Sequence, residues 1–260
     1  MSFSSILSTA IEDLGKNGKI FSNERQFQFD LAQILKDKGY DVEFEVLVTP
    51  FSQISDYLKT PTKQREKAYI DLLIKSKDSP DEYFAIELKY KTPQTLKVYE
   101  DEDAITFPQG APDLGSYLFW MDVHRLERVL CGELKVLSSS TKTKKIKEAY
   151  AVLLPNAKRY LVPHPASLYR EFFPIQGPKA KTLCGYILID AATRERVSGK
   201  QKGRSSLEKR IENLQEAIDY KRVDGKDKPV YPIVLNNAYL CKWNRYPAHD
   251  DFNYLIIDIQ

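Results

Sequence analysis

Residues 40–48 carry Val42, Phe44, Val46 and Val48 on one side and Asp41, Glu43 and Glu45 on the other. Side chains of a strand alternate faces with period two, so this stretch predicts a half-buried strand. Ahead of it, Phe27, Leu31, Ile34 and Leu35 recur at helical spacing. They predict a helix with one apolar face, running to about Lys38 and stopping at Gly39. Asn23, with Gln26 three residues on, supplies a capping-box start. Residues 2–14 predict a short amphipathic helix, broken at Gly15-Lys16-Asn17-Gly18. Apolar strands follow at 68–75 and 83–90, separated by the turn-rich Lys77-Asp78-Ser79-Pro80-Asp81. The order predicts a helix packed on an antiparallel meander.

The pattern is less regular beyond. Residues 49–66 read as a polar loop or short helix. Residues 91–112 hold three prolines and the acids 100–103, which predicts an irregular active-site loop. Asp113 then caps a helix to about Cys131, with Leu114, Leu118, Met121, Arg125 and Val129 along one stripe. Residues 135–147 carry five lysines and no acid, the pattern of a mobile basic loop. Strands are predicted at 149–154 and 183–190, a second basic stretch at 194–204, a charged helix at about 205–221, and closing strands at 238–243 and 253–259. With no internal repeat and no clear linker, the expectation is one α/β domain over residues 1–260. Its catalytic core spans about 20–155 and a C-terminal elaboration about 156–260.

Composition narrows the field. The 260 residues are 42% hydrophobic, enough for a sizeable core, and the net charge of +3 excludes a polycation without excluding a local basic groove. Cys131, Cys184 and Cys241 are far apart, against a disulfide framework or structural zinc. A cytoplasmic protein is expected, since the N-terminus shows no signal peptide and no apolar run reaches membrane-spanning length. The three histidines are scattered and no Walker spacing is present, so no nucleotide cofactor is expected.

Candidate chemistry lies in two of the strands. Asp71 interrupts Ala68-Tyr69-Ile70-Asp71-Leu72-Leu73-Ile74, and Glu87 interrupts Phe84-Ala85-Ile86-Glu87-Leu88. Acids in near-continuous apolar strands are costly unless paired or metal-bound. Lys89 shares a face with Glu87. A hard cation such as Mg²⁺, with Mn²⁺ as substitute, takes one or two carboxylates, and Asp71, Glu87 and the Leu88 backbone carbonyl form a candidate ligand set. Lys89 would orient or deprotonate a water, or stabilise a pentavalent phosphorane. Glu24, in the first turn of the preceding helix, is a fourth candidate catalytic residue, although an acid there also suits the helix dipole.

These residues resemble the PD-(D/E)xK nuclease superfamily, with Glu24 at the helix acid, Asp71 on the first strand of the hairpin and Glu87-Leu88-Lys89 on the next strand. Ile70 stands where the motif name has proline. Ile86-Glu87-Leu88-Lys89-Tyr90-Lys91, Gln109-Gly110-Ala111-Pro112-Asp113-Leu114-Gly115, Arg125-Leu126-Glu127, and the ending with Trp243 and Asn253-Tyr254-Leu255-Ile256-Ile257 are similar to prokaryotic restriction-endonuclease-like proteins. The resemblance implies a mixed central sheet flanked by helices and a divalent-metal-dependent endonuclease cutting DNA, in restriction or defence. It makes a homodimer plausible, since cutting both strands needs two sites or two events. The alternative is a non-cleaving nucleic-acid-binding or assembly module on a nuclease fold. Candidate DNA contacts are Lys91, Gln109, Arg125, Lys142, Lys144, Lys145 and Arg204; Asp113 and Tyr117 lie on the same helix as Arg125. A surface ion pair of Arg125 with Asp122 or Glu127 is the competing expectation.

Overall fold

The computed structural model describes residues 2–49, 68–76, 81–92, 112–137, 143–156, 160–161, 174, 176, 180–185, 187–190 and 233–259. Its helices are α1 (Phe3–Lys16), α2 (Glu24–Asp37) and α3 (Pro112–Leu130). The strands are β1 (Tyr40–Thr49), β2 (Ala68–Ser76), β3 (Tyr83–Lys91), β4 (Lys135–Leu137), β5 (Thr143–Lys144), β6 (Ile146–Pro155), β7 (Lys181–Gly185), β8 (Ile187–Asp190), β9 (Ile233–Val234), β10 (Trp243–Arg245) and β11 (Asn253–Ile259). An eight-stranded sheet has the order β10-β11-β6-β3-β2-β1-β4-β5, and a three-stranded sheet the order β8-β7-β9. β3 and β6 are parallel and every other neighbouring pair of the large sheet is antiparallel, so the fold is α/β with a mixed sheet flanked by helices.

The local chemistry accounts for the first helices. Asn23 Oδ1 accepts from the Gln26 N–H at 2.9 Å, and Gln26 Oε1 accepts from the Ser22 N–H at 2.8 Å. The reciprocal half of the cap thus falls one residue ahead of the usual place. Phe27, Leu31 and Leu35 are fully buried with Leu72, Ile74, Leu88 and Val152 of the sheet. Each such side chain contributes about 1.5–3 kcal/mol of transfer free energy. Gly15 does not break α1; a Cβ there would lie 2.5 Å from Pro247 Cδ, so glycine admits the C-terminal segment against the helix.

On the opposite face α3 is buried almost all round, through Tyr117, Phe119, Trp120, Met121, Val123, Leu126 and Val129. The stripe expected from Leu118 is corrected, because Leu118 is exposed while Phe119, Trp120 and Val123 carry the packing. Residues 233–241 cover the outer side of α3, placing Ile233, Leu235, Tyr239 and Cys241 in the same core as the sheet.

The uniform alternation expected in β1 is also corrected. Tyr40, Val42 and Phe44 pack with the α1–α2 core, whereas Val46 and Val48 belong to the α3 core. β2 changes faces in the same way, with Ala68 and Ile70 toward α3 and Leu72 and Ile74 toward α2. The register Phe44↔Leu72 and Val46↔Ile70 sets Glu45 opposite Asp71 at the crossover. Glu45 has φ 48°, the left-handed conformation that turns the strand over.

Other expectations shift locally. Residues 135–147 are not one loop, since β4 and β5 pair through Val136↔Lys144 and Leu137↔Thr143. Residues 183–190 are not one strand but part of the β7–β8 hairpin. The strand expected at 238–243 is confined to β10, which starts at Trp243. The expected segments 50–66, 93–111 and 194–221 lie outside the described residues. Among the described residues no helix is long and apolar enough to cross a membrane, and Cys131 and Cys241 form no disulfide.

A left-handed glutamate costs about 1–2 kcal/mol, which glycine avoids at the expense of a more flexible unfolded chain. Glu45→Gly is therefore expected to raise unfolding stability by about 0.5–1 kcal/mol. Glu45→Val, which is stiff at χ1, should lower it. Urea denaturation measures both, and a destabilised glycine variant would refute the account of the crossover.

Candidate active site

Strands β2 and β3 pair from Lys75↔Tyr83 to Leu72↔Ile86 and no further. One more step of that register sets Asp71 opposite Glu87. Here the ladder opens and side chains take over its hydrogen bonds. Asp71 Oδ2 accepts from the Leu88 N–H at 2.6 Å, and Gln28 Nε2 of α2 donates to the Asp71 carbonyl at 2.7 Å. The face reversal in β2 thus turns the Asp71 carboxylate toward β3.

Glu87, Lys89 and Lys91 share the α3 face of β3, because Ile86, Leu88 and Tyr90 fill the core on the other side. Four charges lock together there. Arg125 of α3 donates through Nη1 to Glu87 Oε1 in a short contact and to the Tyr69 carbonyl at 3.1 Å. Its Nη2 donates to Asp122 Oδ1 at 3.0 Å. Asp122 Oδ2 lies 2.9 Å from Lys89 Nζ, and Lys89 Nζ also donates to the Leu88 carbonyl at 3.2 Å. The side chains of Glu87 and Asp122 are only 2% and 4% exposed, so these are interior charges.

The cluster opens to solvent at Glu24, whose side chain is 34% exposed. Glu24 Oε2 accepts from the Tyr90 N–H at 3.0 Å, which fixes the first turn of α2 to the end of β3. Its carboxylate lies 3.8 Å from Lys89 Nζ and 3.9 Å from Lys91 Nζ. Gly115 in the first turn of α3 lets that helix approach the same place, since a Cβ there would lie 3.4 Å from the Lys91 stem and 2.3 Å from Tyr160 Oη.

Burial governs the protonation equilibria. Desolvation pushes the Asp71 carboxyl up, against the pull of Lys89 and of the Leu88 N–H. Desolvation pushes Glu87 well up, opposed chiefly by Arg125 and reinforced by Asp122 and Asp71. Burial alone would lower Lys89, but Asp122, Glu24, Asp71 and Glu87 together outweigh it and hold the ammonium above its ordinary range. Lys91, with Glu24 as its main counter-charge, is lowered by desolvation.

The donor chemistry of Asp71, Glu87 and the Leu88 carbonyl suits a hard divalent cation that keeps several waters. Asp71 and Glu87 are opposed across the opened ladder, and both carboxyls lie where burial leaves negative charge undercompensated. Among the described residues no group of three or more His, Cys, Asp or Glu side chains is arranged to hold a metal ion. Two carboxylates are thus the most that Asp71 and Glu87 offer such an ion, and Glu87 is held by Arg125.

Of the sequence-derived candidates, Glu24, Asp71, Glu87, Leu88, Lys89, Lys91 and Arg125 come together around this opening. Lys144 donates to Tyr83 Oη at 3.1 Å near the far end of β3, and Lys145 is exposed beside it. Gln109, Lys142 and Arg204 lie outside the described residues, as does the side chain of Asp113. Tyr117 is in the core under α3. The expected surface pair of Arg125 and Asp122 exists but is buried, and Glu127 is engaged elsewhere. Two residues were not anticipated as parts of the site. Asp122 interrupts Phe119-Trp120-Met121-Asp122-Val123 as Asp71 and Glu87 interrupt their strands. Gln28 follows Glu24 by one helical turn, an ordinary spacing with no sequence signal of its own.

The raised Asp71 carboxyl carries a stability consequence. The native state binds this proton more tightly than the unfolded chain, so the contribution is complete below the ordinary carboxylate range and is lost as pH rises through the raised value. Asp71→Asn keeps an acceptor for the Leu88 N–H and carries no charge. It is expected to melt at or above the parent's temperature at neutral pH, with the difference closing as pH falls below about 4. Thermal melts across that range measure this, and a variant that melts well below the parent at neutral pH would refute it.

Comparisons of the chain with protein-family models, with curated proteins and with solved structures found no match.

Proposed function

We propose that the chain is a divalent-metal-dependent endonuclease that hydrolyses DNA phosphodiester bonds. The observation that carries this is the convergence of Asp71, Glu87 and Lys89 where β2 and β3 separate, in the interior of the sheet. Such a group of charges is costly to keep for stability alone. The likeness of Glu24, Asp71 and Glu87-Leu88-Lys89 to the PD-(D/E)xK pattern supports the same reaction class.

Asp71, Glu87 and the Leu88 carbonyl would hold Mg²⁺ or Mn²⁺. When bound, that ion supplies a water of lowered pKa and offsets charge on the phosphate. Lys89 is kept as an ammonium by the carboxylates around it, so its role is to stabilise charge on the phosphorane rather than to take a proton. Asp122 positions that ammonium from 2.9 Å. Glu24 draws the Lys89 and Lys91 side chains toward the solvent-facing end, where a phosphate backbone would approach.

A second reading, a nucleic-acid-binding or assembly module without cleavage, is favoured by one observation: Arg125 already occupies Glu87. Calorimetric titration with Mg²⁺ or Mn²⁺ separates the two, since no uptake with or without DNA would favour the module.

Plasmid and single-stranded DNA incubated with Mg²⁺ or Mn²⁺ provide the direct test. Lys89→Ala is expected to cleave at least about 10²-fold more slowly than the parent. Equal cleavage by both proteins, or inactivity of the parent on every substrate, would count against a nuclease.

A further inference from the structure

Arg125 is not placed as a surface phosphate ligand would be. Its guanidinium is spread over Glu87, the Tyr69 carbonyl and Asp122, and its side chain is 14% exposed. Asp122 in turn reaches Lys89. The result is a chain of alternating charge, Glu87–Arg125–Asp122–Lys89. Glu87 and Lys89 are two residues apart on β3, and Asp122 and Arg125 three apart on α3. Each acid is held by a base of the other element.

Its two cations sit on two of the three donors a metal would need. Arg125 is on Glu87 Oε1 and Lys89 is on the Leu88 carbonyl. A divalent cation would therefore compete with Arg125 and Lys89 for these oxygens. Guanidinium is a planar fork, and its Nη2 contact to Asp122 does not depend on the Nη1 contact to Glu87. Loss of the Glu87 contact would leave Arg125 tethered through Nη2 to Asp122 and through Nη1 to the Tyr69 carbonyl, with the N–H that had met Glu87 turned to the site. That N–H suits a phosphate oxygen.

We propose that Arg125 is an internal counter-ion that holds Glu87 in the metal-free protein, yields Glu87 to the arriving divalent cation, and is then presented to the substrate phosphate while still tethered to Asp122. This rests on the phosphodiesterase reading of the same site. It makes metal and DNA binding mutually reinforcing, because the arginine that contacts phosphate is released only by metal.

The test is Mg²⁺ alone, without DNA, added to the full-length parent labelled at arginine. The guanidinium signal absent from an Arg125→Lys spectrum is expected to shift saturably. Arg125→Lys keeps the charge but cannot reach Glu87 and Asp122 together. It is expected to bind Mn²⁺ about tenfold more tightly than the parent by calorimetry, and to bind DNA more weakly when metal is present. Metal uptake by the parent without a change in the Arg125 signal would overturn the proposal and leave the nuclease reading standing. So would an Arg125→Lys variant that binds Mn²⁺ no more tightly than the parent. Absence of metal uptake by either protein, with and without DNA, would remove both. If the variant does not fold, the parent spectrum still decides, with the signal assigned through its contacts to Tyr69 and Glu87.

Discussion

A carboxylate on a central strand, 2% exposed, has almost no water to solvate it, and the structure around Glu87 is organised by that constraint. Burying an ion costs several kcal/mol even after relaxation, and breaking a buried pair by removing one partner costs about 3–5 kcal/mol. Glu87 is flanked by β2 on one side and by the parallel strand β6 on the other, so no loop can bring it a counter-charge from within the sheet. The counter-charge has to come from the helix above. That requirement fixes the rotation of α3 about its own axis, with Arg125 over Glu87. Asp122, one turn earlier, then falls on Lys89.

The opening of β2 from β3 meets the same constraint from the other side. A continuous ladder would pair Asp71 with Glu87 and crowd two desolvated acids. The left-handed Glu45 and the face change at Asp71 avoid this by turning one carboxylate to a backbone N–H. The cost is a strained residue and an interrupted ladder, and Gln28 covers the carbonyl that the interruption exposes. The strained residue thus lies beside the two acids whose crowding it relieves.

Much of this was legible in the chain. Period-two alternation placed Glu87 and Lys89 on one face, and the capping residues placed the start of α2 and therefore Glu24. The rule that an acid in an apolar run needs a partner identified Asp71 and Glu87. Applied to α3 it would have found Asp122 as well, but Asp122 stands three residues before Arg125, the spacing of an ordinary surface ion pair. A helix buried on both sides has no single apolar stripe, so periodicity misleads there. The crossover in β1 left little trace, because glutamate is not a residue that signals positive φ; Leu47, apolar on the otherwise acidic side, is the one departure from alternation there. Face reversal is decided by what the two helical layers demand of the sheet, which is a tertiary matter.

The same logic draws the C-terminal segment into the site. Glu127 accepts from the Asn236 and Asn237 N–H groups, each at 2.9 Å, and from Tyr239 Oη at 2.8 Å. Three donors on one buried carboxylate hold α3 from its outer side. Arg125 and Asp122 hold it from the sheet side, two and five residues away along the same helix. A helix pinned by charge on both faces can neither roll nor slide without exposing an unpaired acid. Residues 233–241 thus contribute no side chain to the cluster and still set the distance between Asp122 and Lys89. Placement of the Lys89 ammonium within the cluster depends on such support from behind. In this chain that support comes from a segment more than a hundred residues beyond the helix it holds.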